Sequence, residues 1–124
     1  MTLRRSALIL VAAAAVAIPA TAPTAAWAKT PGLVGEVGPG FTIEVTTAGD
    51  KDVKTLKAGT YRITVEDKSS SHNFHLTGPG VNKSTTVAFS GKQTWTVKLK
   101  KGTYRYQCDP HASLGMKGSF RVTG

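Results

Sequence analysis

The strongest constraint on the fold is an alternation of apolar and polar residues with a period of two. It recurs in residues 41–46, 61–66, 94–100, 104–109 and 119–123. Because alternate side chains of a strand point to opposite faces, this pattern predicts strands that are buried on one side. Turn sequences rich in glycine and proline, such as 38–40 and 78–80, separate the runs. The sequence therefore predicts an all-β fold, a β-sandwich of seven or eight short strands.

Two further features of these runs concern packing. Segment 56–62 recurs with one change as segment 99–105, and we interpret the two copies as similar corners at one end of the sandwich that lead toward the same site. The inward positions of the runs carry large aromatic side chains, which favour the core. These residues are Tyr61, Phe74, Trp95, Tyr104 and Phe120.

Residues 1–28 have the three parts of a secretory signal peptide. Arg4 and Arg5 make the start basic, an apolar run follows over 6–20, and residues 26–28 fit the small-x-small pattern that signal peptidases cleave. The alternative is a membrane anchor, which is disfavoured because the apolar run is shorter than the roughly 20 residues of a spanning helix. We therefore expect an exported protein, periplasmic, extracellular or associated with the cell envelope, in which residues 29–124 form one domain.

The expected mature domain is basic and contains one cysteine. Residues 29–124 hold all seven acidic residues and fourteen of the sixteen Lys and Arg, which gives a net charge of about +7. The basic residues are scattered and the protein is expected to be exported, so nucleic acid is not a predicted partner. The charge is expected to steer the protein toward an acidic partner or an anionic envelope. Because Cys108 has no internal partner for a disulfide, its thiol needs burial, dimerisation or a metal for protection.

The segment from Cys108 to Met116 places three metal-binding side chains within nine residues. Cys108, His111 and Met116 follow the spacing C-x2-H-x4-M, and a proline and a glycine bend the chain between them. A fourth donor must come from elsewhere, and His72 in a separate strand-like segment is the natural candidate. Two imidazoles, a thiolate and a thioether favour copper, since sulfur suits Cu(I) and imidazole tolerates Cu(II). Zinc would prefer another fourth ligand, and iron–sulfur clusters need more cysteines.

These residues resemble the cupredoxin family, most closely plastocyanin and its bacterial relatives. The likeness covers roughly residues 41–122 and is carried by the spacing of the ligand loop and by the His72-Asn73 pair. It implies a Greek-key β-sandwich with one type 1 copper per chain near one end. It further implies short equatorial bonds from His72, Cys108 and His111 and a long axial bond from Met116.

The resemblance also assigns roles to neighbours of these four residues. Asn73 is implied to tie the two ligand segments together and to shield the sulfur by hydrogen bonding. Pro110 matches the residue that precedes the second histidine in the family. Asp109 stands where plastocyanins usually have Ser or Thr, so its tie to Asn73 stays open, and its carboxylate is expected to lower the reduction potential. Pro110, Ala112 and Leu114 are implied to form a docking patch, and a partly buried loop leucine is the alternative for Leu114.

His75 is interpreted as a surface residue rather than a ligand. It lies three residues after His72, so in a strand the two side chains point to opposite faces.

The combined prediction is a monomeric protein, not an enzyme, that carries single electrons by Cu(II)/Cu(I) cycling. We expect transient, acidic redox protein partners and no small-molecule substrate. Two other functions stay open. One is an envelope copper carrier or buffer, which Cys108 disfavours because such proteins often use Met and His clusters instead. The other is a metal-free β-sandwich that serves recognition.

Overall fold

A computed structural model describes residues 12–17 and 29–124, and the folded domain lies in the second range. The described residues form nine strands, numbered β1 to β9 in chain order. Their bounds are Gly32–Val37, Ile43–Thr47, Thr55–Lys57, Gly59–Asp67, His75–Gly78, Val81–Ser84, Gly91–Leu99, Gly102–Gln107 and Lys117–Thr123. A short 3₁₀ helix, Asp109–Leu114, connects β8 to β9 and is called the loop helix below.

The strands form two sheets around one hydrophobic core. Sheet A has the strand order β2-β1-β4-β7, and sheet B has the order β3-β9-β8-β5-β6. Alternate residues are buried, as in β7, where Trp95, Val97 and Leu99 face the core while the residues between them are exposed. All five aromatic residues predicted for the core are buried. The prediction of an all-β sandwich is confirmed.

The pairing of β5 with β8 makes one end of the sandwich the meeting point of two loops. His75, the first residue of β5, lies opposite Gln107, the last residue of β8. The two strands are antiparallel, so the chain before β5 and the chain after β8 emerge side by side. His72 belongs to the first of these segments and Cys108 to the second, which places both at the same end of the molecule.

The two copies of the repeated segment form corners at the opposite end. Gly59 begins β4 and lies opposite Leu99, the last residue of β7, and Gly102 begins β8. From these corners β4 runs toward the segment of His72 and β8 runs toward Cys108. The interpretation as two similar corners that lead to one site is confirmed.

The structure has more strands than the seven or eight that were predicted, because β1, β3 and β6 lie outside the predicted runs. In β1 the alternation of large apolar residues is broken by Gly35, which takes a buried position. A Cβ atom at Gly35 would lie 2.7 Å from the ring of Phe74, so the glycine makes room for that ring. Strands β3 and β6 contain only three and four residues, which is too short for a periodic signal.

The predicted signal peptide lies outside the described residues except for 12–17, which are exposed and have no regular secondary structure. Within the ranges that the structure describes, no helix is both long enough and apolar enough to cross a membrane.

Gly78 at the end of β5 is required by the close approach of a tyrosine ring. A Cβ atom at this position would overlap the ring of Tyr104, which is fully buried. The ring cannot easily move away, because its hydroxyl donates a hydrogen bond to the carbonyl of Pro79 at 2.7 Å and accepts one from the N–H of Lys100 at 2.9 Å.

We expect Gly78→Ala to lower the free energy of unfolding by about 1–3 kcal/mol, the range for overpacking a well-packed core. Gly40→Ala is the matched control, because a Cβ atom there meets nothing within 4 Å, and it should change stability by less than about 0.5 kcal/mol. Urea denaturation of the two variants measures the difference. Equal stability of both would contradict the proposed crowding at Tyr104.

Candidate metal centre

Three of the four side chains predicted as ligands converge at one end of the sandwich. The Nδ1 atoms of His72 and His111 lie 2.9 Å apart, and Sγ of Cys108 lies 3.7 Å from the first and 3.4 Å from the second. His72 and Cys108 are buried, whereas His111 is half-buried. In the described part of the chain, this is the one group of three such side chains close enough to hold a metal ion. The donors therefore surround a common point that only His111 connects to the surface.

Met116 lies at the end of the same loop and is buried in the core. The N–H of Cys108 donates to the carbonyl of Met116 at 3.0 Å, and the N–H of Met116 donates to the carbonyl of His111 at 3.3 Å. Gly115 allows this return of the chain, because its φ of 93° lies in the left-handed region that favours glycine. Backbone hydrogen bonds thus close the loop that carries all three residues.

A pair of hydrogen bonds, called the Asn73–Asp109 clasp below, joins the two ligand segments. The side-chain amide of Asn73 donates to Oδ2 of Asp109 at 2.9 Å, and the backbone N–H of Asp109 donates to Oδ1 of Asn73 at 2.7 Å. Asn73 follows His72 and Asp109 follows Cys108, so each half of the clasp is adjacent to a donor residue. The tie that the sequence left open therefore exists with aspartate at this position.

His75 extends the clasp outward. Its Nδ1 lies 2.9 and 3.1 Å from the two carboxylate oxygens of Asp109, and its Nε2 lies 2.7 Å from Oδ1 of Asn82 in β6. The amide of Gln107 donates a further bond to Asp109 at 2.8 Å. His75 lies outside the group of converging donors. The sequence interpretation as a plain surface residue missed this role, because His75 and Asp109 meet only through the pairing of β5 with β8.

The hydrogen bonds around Asp109 favour an ion pair. Burial raises the pKa of Asp109, but bonds from Gln107, Asn73 and His75 and the charge of His75 outweigh it and hold the pKa below its usual value. Burial lowers the pKa of His75, but bonds to Asn82 and Asp109 and the charge of Asp109 outweigh it and raise the pKa. A protonated His75 would therefore offset part of the negative charge that Asp109 brings close to the donors.

Asp67 is a buried carboxylate near His72 that sequence reasoning missed. It occupies the last inward position of β4, where an apolar residue would be expected. One carboxylate oxygen accepts the N–H of Ser69 at 3.0 Å, and the other has no hydrogen-bond partner among the described residues. Burial raises the pKa of Asp67, and the bond from Ser69 and the charge of His72 oppose that rise only in part.

The surface over the donors is apolar and is called the apolar end patch below. On the loop helix, Leu114 is 69% exposed, Pro110 is exposed and Ala112 is half-buried. Phe41 adds a ring that is 65% exposed and lies edge-on to both histidine rings, with centroid separations of 5.5 and 4.8 Å. The alternation pattern had placed Phe41 in a half-buried strand, which is wrong because β2 begins only at Ile43.

Comparison with known protein families assigns this arrangement of donors. The family of copper-binding proteins of the plastocyanin/azurin type matches residues 49–123. This chain belongs to the plastocyanin/azurin family. The resemblance to cupredoxins drawn from the ligand loop is confirmed, and so is copper as the cofactor of the family.

Individual relatives agree with this assignment. Plastocyanin from Daucus carota is 53% identical over 32 residues, a segment that covers 25% of this chain and 33% of that protein. The match thus spans about a third of the relative's length. Among solved structures, rusticyanin from Thiobacillus ferrooxidans is 27% identical with a TM-score of 0.54, over 77% of this chain and 78% of that one.

Auracyanin from the photosynthetic bacterium Roseiflexus castenholzii has the same fold. It is 20% identical with a TM-score of 0.55, and the match covers 77% of this chain and 98% of that one.

The donor chemistry of the present chain fits the cofactor of its family. A dry site of two imidazole nitrogens, one thiol and a neighbouring thioether is consistent with a single type 1 copper.

The two histidines His72 and His75 provide a matched test of the donor set. We expect His72→Ala to weaken Cu(II) affinity more than about 100-fold, because it removes a converging nitrogen. We expect His75→Ala to weaken it about tenfold, the lower end of the range for outer-shell effects, because His75 acts only through Asp109. Titration against a competing chelator measures both affinities. The reactivity of the Cys108 thiol after copper loading is the second readout, since a thiol that holds the ion should not react. Equal affinities for the two variants would contradict the role of His72.

Proposed function

We propose that the protein is an exported carrier of single electrons whose one copper ion is held by His72, Cys108, His111 and Met116. The observation that supports this most directly is the buried thiol with Sγ 3.7 and 3.4 Å from two imidazole nitrogens. Electron transfer is the general role of the plastocyanin/azurin family, whose members are electron carriers rather than enzymes. When bound, copper would supply a Cu(II)/Cu(I) couple, which this mixture of sulfur and nitrogen donors accommodates in both states.

The contribution of the chain is to hold the donors still and dry. The clasp fixes the positions of His72 and Cys108 relative to each other, and the closed loop fixes Cys108 relative to His111. A site whose donors are fixed by the protein needs little rearrangement when the charge of the ion changes, which favours fast electron exchange. Burial of the thiol also limits its reaction with oxidants.

The route for the electron is proposed to be the half-buried ring of His111. Its edge lies under the apolar end patch, so a partner seated on Phe41, Pro110, Ala112 and Leu114 would approach the ring closely. Complexes of electron-transfer proteins bury little surface and dissociate readily, which suits a small patch. Such a partner would be a redox protein rather than a small-molecule substrate.

The setting of this reaction is proposed from the sequence. The features of residues 1–28 favour export to the periplasm, the envelope or the exterior, and the basic charge of residues 29–124 favours acidic partners. Monomeric action is proposed because electron exchange requires nothing from a second copy.

The optical and paramagnetic-resonance spectra of the copper-loaded protein test the proposal. We expect a blue absorption band that bleaches reversibly on reduction, one copper per chain, and loss of the band in Cys108→Ser. A copper carrier or buffer would instead release its ion readily to a chelator. A recognition module would bind no stoichiometric copper. If the Cu(II)-loaded protein stays colourless and keeps a reactive thiol, the proposed site is wrong.

The charge of Asp109 gives a prediction for the reduction potential. We expect Asp109→Asn to raise the potential, because the variant removes a negative charge beside Cys108 while an amide can keep the bond to Asn73. An effect of about 1 kcal/mol, typical for a partly solvated charge, corresponds to roughly 40 mV for one electron. Cyclic voltammetry measures the shift, and Asp109→Ser should shift the potential in the same direction. An unchanged or lower potential in both variants would count against the electrostatic role of Asp109.

A further inference from the structure

The charges of this protein are distributed unequally between its two sheets. Strands β3, β5, β6, β8 and β9, which form sheet B, contain no acidic residue. Sheet A carries Glu36, Glu44, Glu66 and Asp67, and two of these carboxylates pair with lysines at 2.8 and 3.2 Å. Asp109 adjoins sheet B, but its carboxylate is already bonded to Asn73, Gln107 and His75. Glu44 and Asp52 lie at the edge of β9, beside Tyr106 and Ser119. Within residues 29–124, the outer face of sheet B itself is therefore cationic, with carboxylates only at its border.

Four exposed cations form an array on this face, called the cationic face below. They are Lys57 in β3, Arg105 in β8, and Lys117 and Arg121 in β9. Each alternates with buried or half-buried neighbours along its strand, so all four point away from the core. Among the described residues, none of the four takes part in a salt bridge, in contrast to Lys68 and Lys92 near sheet A.

Hydroxyl side chains lie beside two of these cations. In the sheet register, Arg121 lies between Thr55 and Thr103, and Arg105 lies between Ser119 and Thr77. A guanidinium next to hydroxyl groups provides several donors for the oxygens of a phosphate, to which Arg binds with bidentate geometry.

A shallow depression at the site end of this face shares these properties. It measures about 470 Å³, and the outward side chains at its rim are those of Arg105, Gln107, Lys117 and Ser119. In the part of the chain that the structure describes, Arg105, Lys117 and Ser119 present donors without a salt bridge to a carboxylate, which suits a phosphate headgroup. The amide of Gln107 is already bonded to Asp109.

The cationic face differs from a surface for a protein partner. Interfaces between proteins usually have an apolar or aromatic centre. Apart from Val16, the large exposed apolar side chains of the described residues are Phe41, Val87 and Leu114, and none of these lies on a strand of sheet B. The face is also broad, because Lys117 and Arg121 are four residues apart in one strand, a distance of about 13 Å. A broad array of cations without an apolar centre matches an extended anionic surface.

We propose that the cationic face of sheet B docks the protein on a membrane that carries anionic phospholipids. Binding is electrostatic and reversible, since no side chain of the face is suited to insertion among acyl chains. The apolar end patch lies at the end of the strands rather than on this face, so docking leaves it free for a redox partner. The proposal goes beyond electron transfer and does not require copper.

Binding to vesicles tests the proposal, with a control pair of substitutions on the other sheet. The test variant is Lys57→Gln with Arg105→Gln on sheet B. The control variant is Arg62→Gln with Lys98→Gln, which removes the same two charge types from exposed positions of sheet A. Sheets pack about 10 Å apart, so charges on sheet A of a docked protein are beyond the Debye length of about 8 Å at physiological salt.

The measurement is sedimentation of the full-length expressed protein with vesicles of equal parts phosphatidylglycerol and phosphatidylcholine, at low and at physiological salt. Each cation close to an anionic membrane contributes about fivefold to affinity. At physiological salt we therefore expect the test variant to bind about 25-fold more weakly than the wild type, and the control variant to bind less than about threefold more weakly. Retained residues 1–28 would add equally to all three proteins, so the ratios between their affinities would not change.

Three results would overturn the proposal. The first is equal loss of binding in the test and control variants, because it would show a response to net charge alone. The second is binding that does not differ between these vesicles and pure phosphatidylcholine. The third is tighter binding to soluble polyglutamate than to the vesicles at matched anionic charge, which would assign the face to an acidic protein instead.

Discussion

The metal centre depends on the Asn73–Asp109 clasp, because the sheet itself does not hold the two ligand segments together. The ladder between β5 and β8 stops at His75 and Gln107, one residue short of Cys108 and three short of His72. The two hydrogen bonds of the clasp, at 2.9 and 2.7 Å, together with the contacts of His75 with Asp109, therefore supply the attachment between the two segments.

Much of the fold and the central cluster could be predicted from the sequence, for a simple physical reason. Half-buried strands force a period of two, and the spacing from Cys108 to Met116 is local. The failures are equally specific. Strand β1 was not predicted because one of its inward positions is Gly35, which has no side chain and so leaves room for the ring of Phe74. Phe41 was wrongly placed in a strand because the alternation of apolar and polar residues begins two residues before β2, which starts at Ile43.

The surroundings of the ligand residues were harder to predict than the ligand residues themselves. They consist of contacts between residues that lie far apart in the sequence. The contact of His75 with Asp109 joins residues 34 positions apart and follows from strand register, which the sequence does not reveal. The same holds for the surface charge. Basic residues look scattered along the chain, yet folding gathers four of them on the outer face of sheet B, whereas the acidic residues within strands all fall on β1, β2 and β4 of sheet A. Net charge is a property of composition, whereas a charged face is a property of topology.

The two proposed surfaces meet at the loop helix, and this position has a consequence for function. Lys117 of the cationic face immediately follows Met116, and Leu114 of the apolar end patch lies two residues before Met116. A protein docked by sheet B would hold its strands parallel to the membrane, so the ring of His111 would face along the membrane plane. Its encounters would then be with redox partners held at the same surface, where diffusion in two dimensions brings two proteins together in a limited range of orientations. The cations of sheet B would hold the protein reversibly at the membrane, while the rest of the basic charge would steer acidic partners toward it. The weak contact that transfers the electron would be left to the apolar end patch, so membrane binding and electron exchange would not compete for the same residues.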